Sequence, residues 1–95
     1  MEEMKLIIKE GLTANNVTAY KNQLEYLLKD ANMCKGLILD MGQTDNIDSV
    51  GVTFVIGIYK RMKEIGKTFK VVGASQDVQM LFKLMKLDAF FEMSE

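Results

Sequence analysis

The sequence has no histidine, no proline and a single cysteine. Without histidine there is no Ser-His-Asp triad, no histidine-ligated metal site and no histidine phosphorelay. Without proline there is no proline-rich linker to divide the chain. One thiol cannot staple a fold, so the chain reads as intracellular. Cys34 has no histidine to activate it and is expected to be a bland, buried or half-buried thiol. An excess of one charge is missing too: 12 Lys and Arg stand against 13 Asp and Glu. No basic patch dominates, which argues against a nucleic-acid partner. Met1-Glu2-Glu3-Met4 lacks the charge pattern of a signal peptide. The longest nearly apolar run, Val50 to Tyr59, is too short and too interrupted to span a bilayer, so no membrane role is expected.

What is present is globular. The chain is 95 residues long, 48% apolar and 26% charged, which fits one domain over residues 1–95 with a modest core. Lys5 to Glu10 suits a strand. A turn follows, with Asn15 or Asn16 able to cap a helix whose apolar face is Val17, Tyr20, Leu24, Leu27, Leu28 and Ala31. After Gly36, the run Leu37-Ile38-Leu39, reaching Met41, suits a strand covered on both faces. Gly42 to Asp48 is a polar loop. A helix is expected from about Ser49 to Ile65, ended by Gly66. Thr68 to Val72 is a third strand. Ser75 caps a last helix with Val78, Leu81, Phe82 and Met85 as its stripe. Leu87 to Met93 reads as a final turn or small helix. Strands alternating with helices imply parallel neighbours joined by crossovers, an α/β fold.

The stretch Asp48-Ser49 is the candidate site. In a parallel α/β sheet, functional loops gather at the carboxyl ends of the strands, and the 42–48 loop leaves such an end. Either residue can serve as a helix cap and nothing more. The functional alternative is a phosphorylation switch. Phosphate on Ser49 adds nearly two negative charges, tolerated by the helix dipole but opposed by Asp45, Asp48 and any acidic or apolar partner surface. It is expected to release a partner rather than refold the domain. An enzyme built on Ser49 is disfavoured. Ile47-Asp48-Ser49-Val50-Gly51 lacks the first glycine of a nucleophile elbow, and the base would have to be a lysine or carboxylate. The glycines also match neither phosphate-binding loop pattern, and no cofactor or metal is implied.

The Ser49 helix carries two apolar stripes. Gly51, Phe54, Val55, Ile58, Met62 and Ile65 form one, and Val52, Ile56 and Tyr59 a second about 110° away. The second is covered by neighbouring helices or is a partner-binding patch, anchored by Tyr59 and rimmed by Lys60 and Lys63.

These residues resemble a known family. Leu37-Ile38-Leu39-Asp40-Met41, Ile47-Asp48-Ser49-Val50-Gly51-Val52, Tyr59-Lys60, Gly66-Lys67 and Val71-Val72-Gly73-Ala74-Ser75, with Val78, Leu81-Phe82 and Leu87-Asp88, are similar to STAS-domain anti-sigma-factor antagonists. The likeness covers about residues 35–91, and more weakly the first 34. It implies a small mixed, mostly parallel sheet with packed helices, in a cytoplasmic non-enzyme that works by protein contact. It implies an anti-sigma factor with serine kinase activity as partner, ATP-dependent phosphorylation of Ser49, a phosphatase that reverses it, and Asp48 as the acid that shapes the loop. Family members open with a strand hairpin; here only Lys5–Glu10 is available, so the hairpin is reduced and one sheet edge is open to pairing with another chain, as in a homo-oligomer. Thr13 stands near the place of an acid in the family's partner-facing loop. The second reading is a STAS-like scaffold or accessory subunit of a transport or stress-signalling complex, bound constitutively through Val52, Ile56 and Tyr59.

Overall fold

A computed structural model describes residues 2–29 and 34–94, without the side chains of Glu2 and Cys34. The expectations for the Cys34 thiol and for Ala31 fall outside what is described. The order of elements is β1 (Glu2–Lys9), α1 (Val17–Leu28), β2 (Cys34–Gln43), α2 (Ser49–Glu64), β3 (Thr68–Val72), α3 (Gln76–Leu84), a short 3-10 turn (Leu87–Ala89) and β4 (Glu92–Met93). The described strands form one sheet in the order β1-β2-β3-β4, and every neighbouring pair is parallel. When spatial order follows chain order, crossovers of one hand place every helix on the same side of the sheet.

The burial pattern follows from that arrangement. On the helix side lie Leu6, Ile8, Leu37, Leu39, Met41, Phe69 and Val71, all buried. The opposite side carries Lys5, Ile7, Lys9, Ile38, Asp40, Lys70 and Val72, half-buried or exposed, with ion pairs Lys5–Asp40 at 3.9 Å and Lys70–Glu3 at 3.6 Å. The expectation that β2 is covered on both faces is therefore corrected. Its apolar run is continuous, but Ile38 and Asp40 alternate onto a side that no helix of the described residues covers.

Each helix buries the stripe its spacing dictates. Val17, Tyr20 and Leu24 of α1, Gly51, Phe54, Val55, Ile58 and Met62 of α2, and Val78 and Phe82 of α3 are buried. The stripes fade at their ends, with Ile65 and Met85 exposed. Gly66 ends α2 at φ +71°, the left-handed conformation in which a glycine carries no Cβ penalty. Ser75 caps α3 by accepting the Val78 N–H at 3.2 Å. Asn16 holds the cap position of α1, but its side chain does not cap the helix. Its Oδ1 accepts the Thr13 N–H at 2.8 Å and its Nδ2 donates to the Gly11 carbonyl, so it folds the preceding loop instead.

The tail keeps the expected short turn at Leu87–Ala89 and then departs from expectation. After the 3-10 turn, Glu92 and Met93 pair with Lys70 and Val71, adding a strand that covers the β3 edge. Phe91 anchors this tail, buried and edge-on to Phe69 and Phe82, with ring centroids at 5.1 and 6.1 Å.

Candidate functional site

Two loops leave the carboxyl ends of β1 and β2 and lie side by side at the start of α2. Main-chain hydrogen bonds knit them together: Glu10 N–H to Gln43 C=O, Asp45 N–H to Glu10 C=O, Leu12 N–H to Asn46 C=O, and Asp48 N–H to Leu12 C=O, between 2.9 and 3.3 Å. Leu12 and Ile47 form an isolated parallel bridge. Thr44, buried, adds its hydroxyl to the Ile8 carbonyl at 3.1 Å.

Asp48 joins this pair of loops to the helix. It is the N-cap of α2, and its Oδ1 accepts the Gly51 N–H at 2.8 Å. Its Oδ2 reaches the other loop and accepts the Ala14 N–H at 3.0 Å. The Gly51 and Ala14 N–H groups hold the Asp48 carboxyl below the usual carboxylate range. Gly51 is required by a close approach: a Cβ there would stand 2.0 Å from the Leu12 carbonyl oxygen. The acid and the glycine of the Asp-Ser-x-Gly stretch thus serve the junction of helix and loop.

Ser49 is the first residue of α2 and is exposed. Its carbonyl accepts the Thr53 hydroxyl at 2.9 Å, while its own hydroxyl bonds no described residue. With Asp48 performing the capping, the Ser49 oxygen is left facing solvent beside the positive end of the helix. Both Asp48 oxygens are occupied by N–H donors, so neither is aimed at Ser49 as a base. Among the described residues no cluster of acids or cysteines is placed to hold a metal.

Thr13 comes to the same place. It is half-buried, its hydroxyl accepts the Asn15 N–H at 3.3 Å, and its neighbour Ala14 bonds Asp48. Tyr59, Lys60 and Lys63 do not come there. At 1.5 Å of rise per residue, Tyr59 lies about 15 Å along α2 from Ser49.

The second stripe is corrected in part. Val52 is a core residue at 4% exposure and offers no surface contact. Ile56 and Tyr59 are half-buried against the core. The Tyr59 ring packs on Phe90 and Phe91 at 5.7 and 5.8 Å, with Lys63 Nζ 6.0 Å from its centroid. At Tyr59 the covering element is the C-terminal tail. The outward face of α2 is instead Ser49, Thr53, Gly57 and Lys60, all exposed, at i, i+4, i+8 and i+11. Beside it, α1 and α2 bound a groove of about 470 Å³ lined by Lys21, Leu24, Val50, Thr53, Phe54 and Gly57. Glu25 and Arg61 close its far end through a two-armed ion pair, which lowers the Glu25 pKa and raises that of Arg61. The signal for this face lay in Gly57, a mid-helix glycine with open space where a Cβ would stand.

No helix among the described residues is long and apolar enough to cross a membrane. The solved structures that resemble this chain share its fold at low identity. A Thermotoga maritima protein provisionally described as an anti-sigma factor antagonist superposes with a TM-score of 0.83 at 18% identity, covering 96% of this chain and 79% of that one. The anti-sigma factor antagonist SpoIIAA, in its unphosphorylated form, gives 0.74 at 14% identity, over 100% and 83%. A sulfate transporter family protein from Wolinella succinogenes gives 0.75 at 14% identity, over 95% and 75%. The family model of the STAS domain matches residues 4–95. With nearly the whole chain inside that match, this protein belongs to the STAS domain family.

Proposed function

We propose that this chain is a single-domain, cytoplasmic anti-sigma-factor antagonist, a binding and regulatory protein rather than a catalyst, controlled through Ser49. With Ser49 unmodified, it binds an anti-sigma factor that is also a serine kinase. The kinase transfers the γ-phosphoryl group of ATP to Ser49 Oγ; ADP leaves, and the hydroxyl proton passes to a base of the kinase. A phosphatase returns the hydroxyl by hydrolysis. The observation that carries this reading is the exposed Ser49 hydroxyl, unbonded at the first position of α2 because Asp48 takes the cap.

Phosphate at that position acts on the partner more than on the fold. The positive end of the α2 dipole tolerates the charge. The carboxylates of Asp48 and Asp45 repel it, and a partner seated over Val50 and Thr53 would have to desolvate it. The partner surface in this reading is Thr13, Asp48, Ser49 and the α1–α2 groove, with Lys60 at the far end of the outward face. Tyr59 and Lys63 belong to a separate, tail-covered surface. The open edge of β1 is a further surface, for contact with a second copy.

The test is reconstitution with a cognate serine kinase and ATP, followed by intact mass. One phosphoryl addition, absent in Ser49→Ala, supports the switch. Ser49→Asp is expected to abolish partner binding. Unchanged binding by Ser49→Asp would instead favour a constitutive scaffold or accessory subunit of a transport or stress-signalling complex, the reading toward which the transporter-family neighbour points.

A further inference from the structure

The long free edge of this sheet is β1. β4 covers β3 at the other side, whereas among the described residues β1 pairs with β2 alone. The outward residues of β1 can be read from their bonds. Lys9 turns both main-chain groups away from β2: its N–H donates to the Tyr20 hydroxyl at 2.9 Å, and its C=O accepts from that hydroxyl at 2.8 Å. Ile8 and Glu10 point toward β2, where their carbonyls accept from Thr44 Oγ1 and from Asp45 N–H. By alternation, Lys5 and Ile7 also point outward. Among the described residues, nothing bonds them there. Shallow cavities of about 380 and 320 Å³ lie along this edge. The first is lined by Lys5, Leu6, Gln23 and Tyr26, the second by Ile7, Lys9 and Tyr20 among others.

We infer that β1 pairs antiparallel with β1 of a second copy about a two-fold axis at Leu6, placing Lys5 opposite Ile7 of the other copy and Glu3 opposite Lys9. This deepens the reading of the open edge as a homo-oligomer surface and is independent of Ser49. Three observations select the register. A slip of one residue would set the buried side of one strand against the open side of the other. A slip of two sets Lys5 opposite either Lys5 or Lys9, like charges face to face. Pairing Glu3 with Lys5 satisfies the charges but leaves Ile7, 40% exposed, beyond the new ladder. In the inferred register the main chains of Lys5 and Ile7 exchange hydrogen bonds in both copies. Tyr20 ends the ladder at each side by holding Lys9. Lys9, which has no ion pair among the described residues, joins Glu3 of the other copy, whose carboxylate pairs with Lys70 at 3.6 Å within its own copy.

The experiment is sedimentation equilibrium of the full chain, with urea melting of each variant to separate folding from association. A dimer is expected, weakened about 10-fold or more by Lys9→Glu or by Glu3→Lys, and restored by the double exchange, because like charges directly opposite are destabilising at both symmetric positions. As an arm independent of charge, Lys5→Cys and Ile7→Cys proteins are mixed in a Cys34→Ser background and oxidised. They should form a mixed disulfide that neither forms alone, since hydrogen-bonded antiparallel partners sit about 5.5 Å apart, within disulfide reach. A chain that stays monomeric overturns both this pairing and the homo-oligomer reading of the edge. A dimer indifferent to the charge variants, or without the mixed disulfide, overturns the register alone.

Discussion

Gly51 lies against the carbonyl of Leu12 so closely that the first atom of any side chain would fall 2.0 Å from the Leu12 oxygen. That contact sets the distance between the start of α2 and the loop after β1. Gly51→Ala must push the two apart, and overpacking of this kind costs about 1–3 kcal/mol. Six residues on, Gly57 has open space where a Cβ would stand. Gly57→Ala, in the same helix, is expected to stabilise by about 0.5–1 kcal/mol through helix propensity. Urea melting of the two variants should move in opposite directions; equal effects would show that the contact with Leu12 is immaterial.

Ser49 should be nearly silent in the fold. Its hydroxyl bonds no described residue, so Ser49→Ala is expected to change stability by no more than about 0.5 kcal/mol. Ser49→Asp places a negative charge at the first helical position, worth roughly 0.3–1 kcal/mol from the dipole, less what Asp48 repels. Both variants should keep the native circular dichroism spectrum, so that any lost partner binding reports on the surface. Unfolding of either one contradicts the placement of Ser49.

The groove beside Ser49 can be tested by filling it. Gly57→Leu puts a side chain into the α1–α2 groove from an exposed position. Partner affinity should fall by an order of magnitude or more, as for a central interface position, while melting is unchanged or improved. Lys63→Ala, on the tail-covered flank of α2, should leave affinity untouched; equal losses from the two would move the partner seat away from the groove.

Acid should act on Asp48. Its folded-state pKa lies below the unfolded value, first through the Gly51 N–H and then the Ala14 N–H. Folding therefore draws stability from the charged form above about pH 4, and that contribution disappears as pH falls through the folded-state value. Carboxyl NMR titration should find Asp48 with its midpoint below the ordinary aspartate value. Asp48→Asn should flatten the acid limb of the stability curve. A titration of Asp48 at the exposed-aspartate value would remove both N–H contacts from the account.

Tyr59 separates a core position from a contact position. Its ring is tilted against Phe90 and Phe91, so Tyr59→Ala should cost about 1–3 kcal/mol, below the range for a fully buried aromatic. Lys60→Ala, exposed, should fall within about 0.5 kcal/mol of the parent. Thermal melting distinguishes these outcomes.

Periodicity exposed most of this architecture. Leu24, Phe54, Ile58 and Phe82 fall at helical spacing, and the strand runs around Leu39 and Val71 are bounded by turn residues, so the helices and three strands were legible. β4 was not, because two residues pairing with Lys70 and Val71 leave no pattern of their own. Tyr59 misled for a related reason: nothing local reveals that Phe90 and Phe91 fold back onto its ring. At the site, Asp48 and Ser49 stood out as cap chemistry. The contribution of Gly51 depended on Leu12, 39 positions earlier in the chain, and no one-dimensional pattern shows such an approach.

The knitting of the 10–16 and 43–48 segments has an evolutionary corollary. Glu10, Leu12, Gln43, Asp45, Asn46 and Asp48 meet mostly through amides and carbonyls, which every amino acid but proline supplies in full. Side chains at Ala14 and Asp45 can therefore drift with little penalty to the scaffold. Descendants of this chain can acquire new allegiances by rewriting a handful of outward letters while the hydroxyl at Ser49 stays aimed where it is.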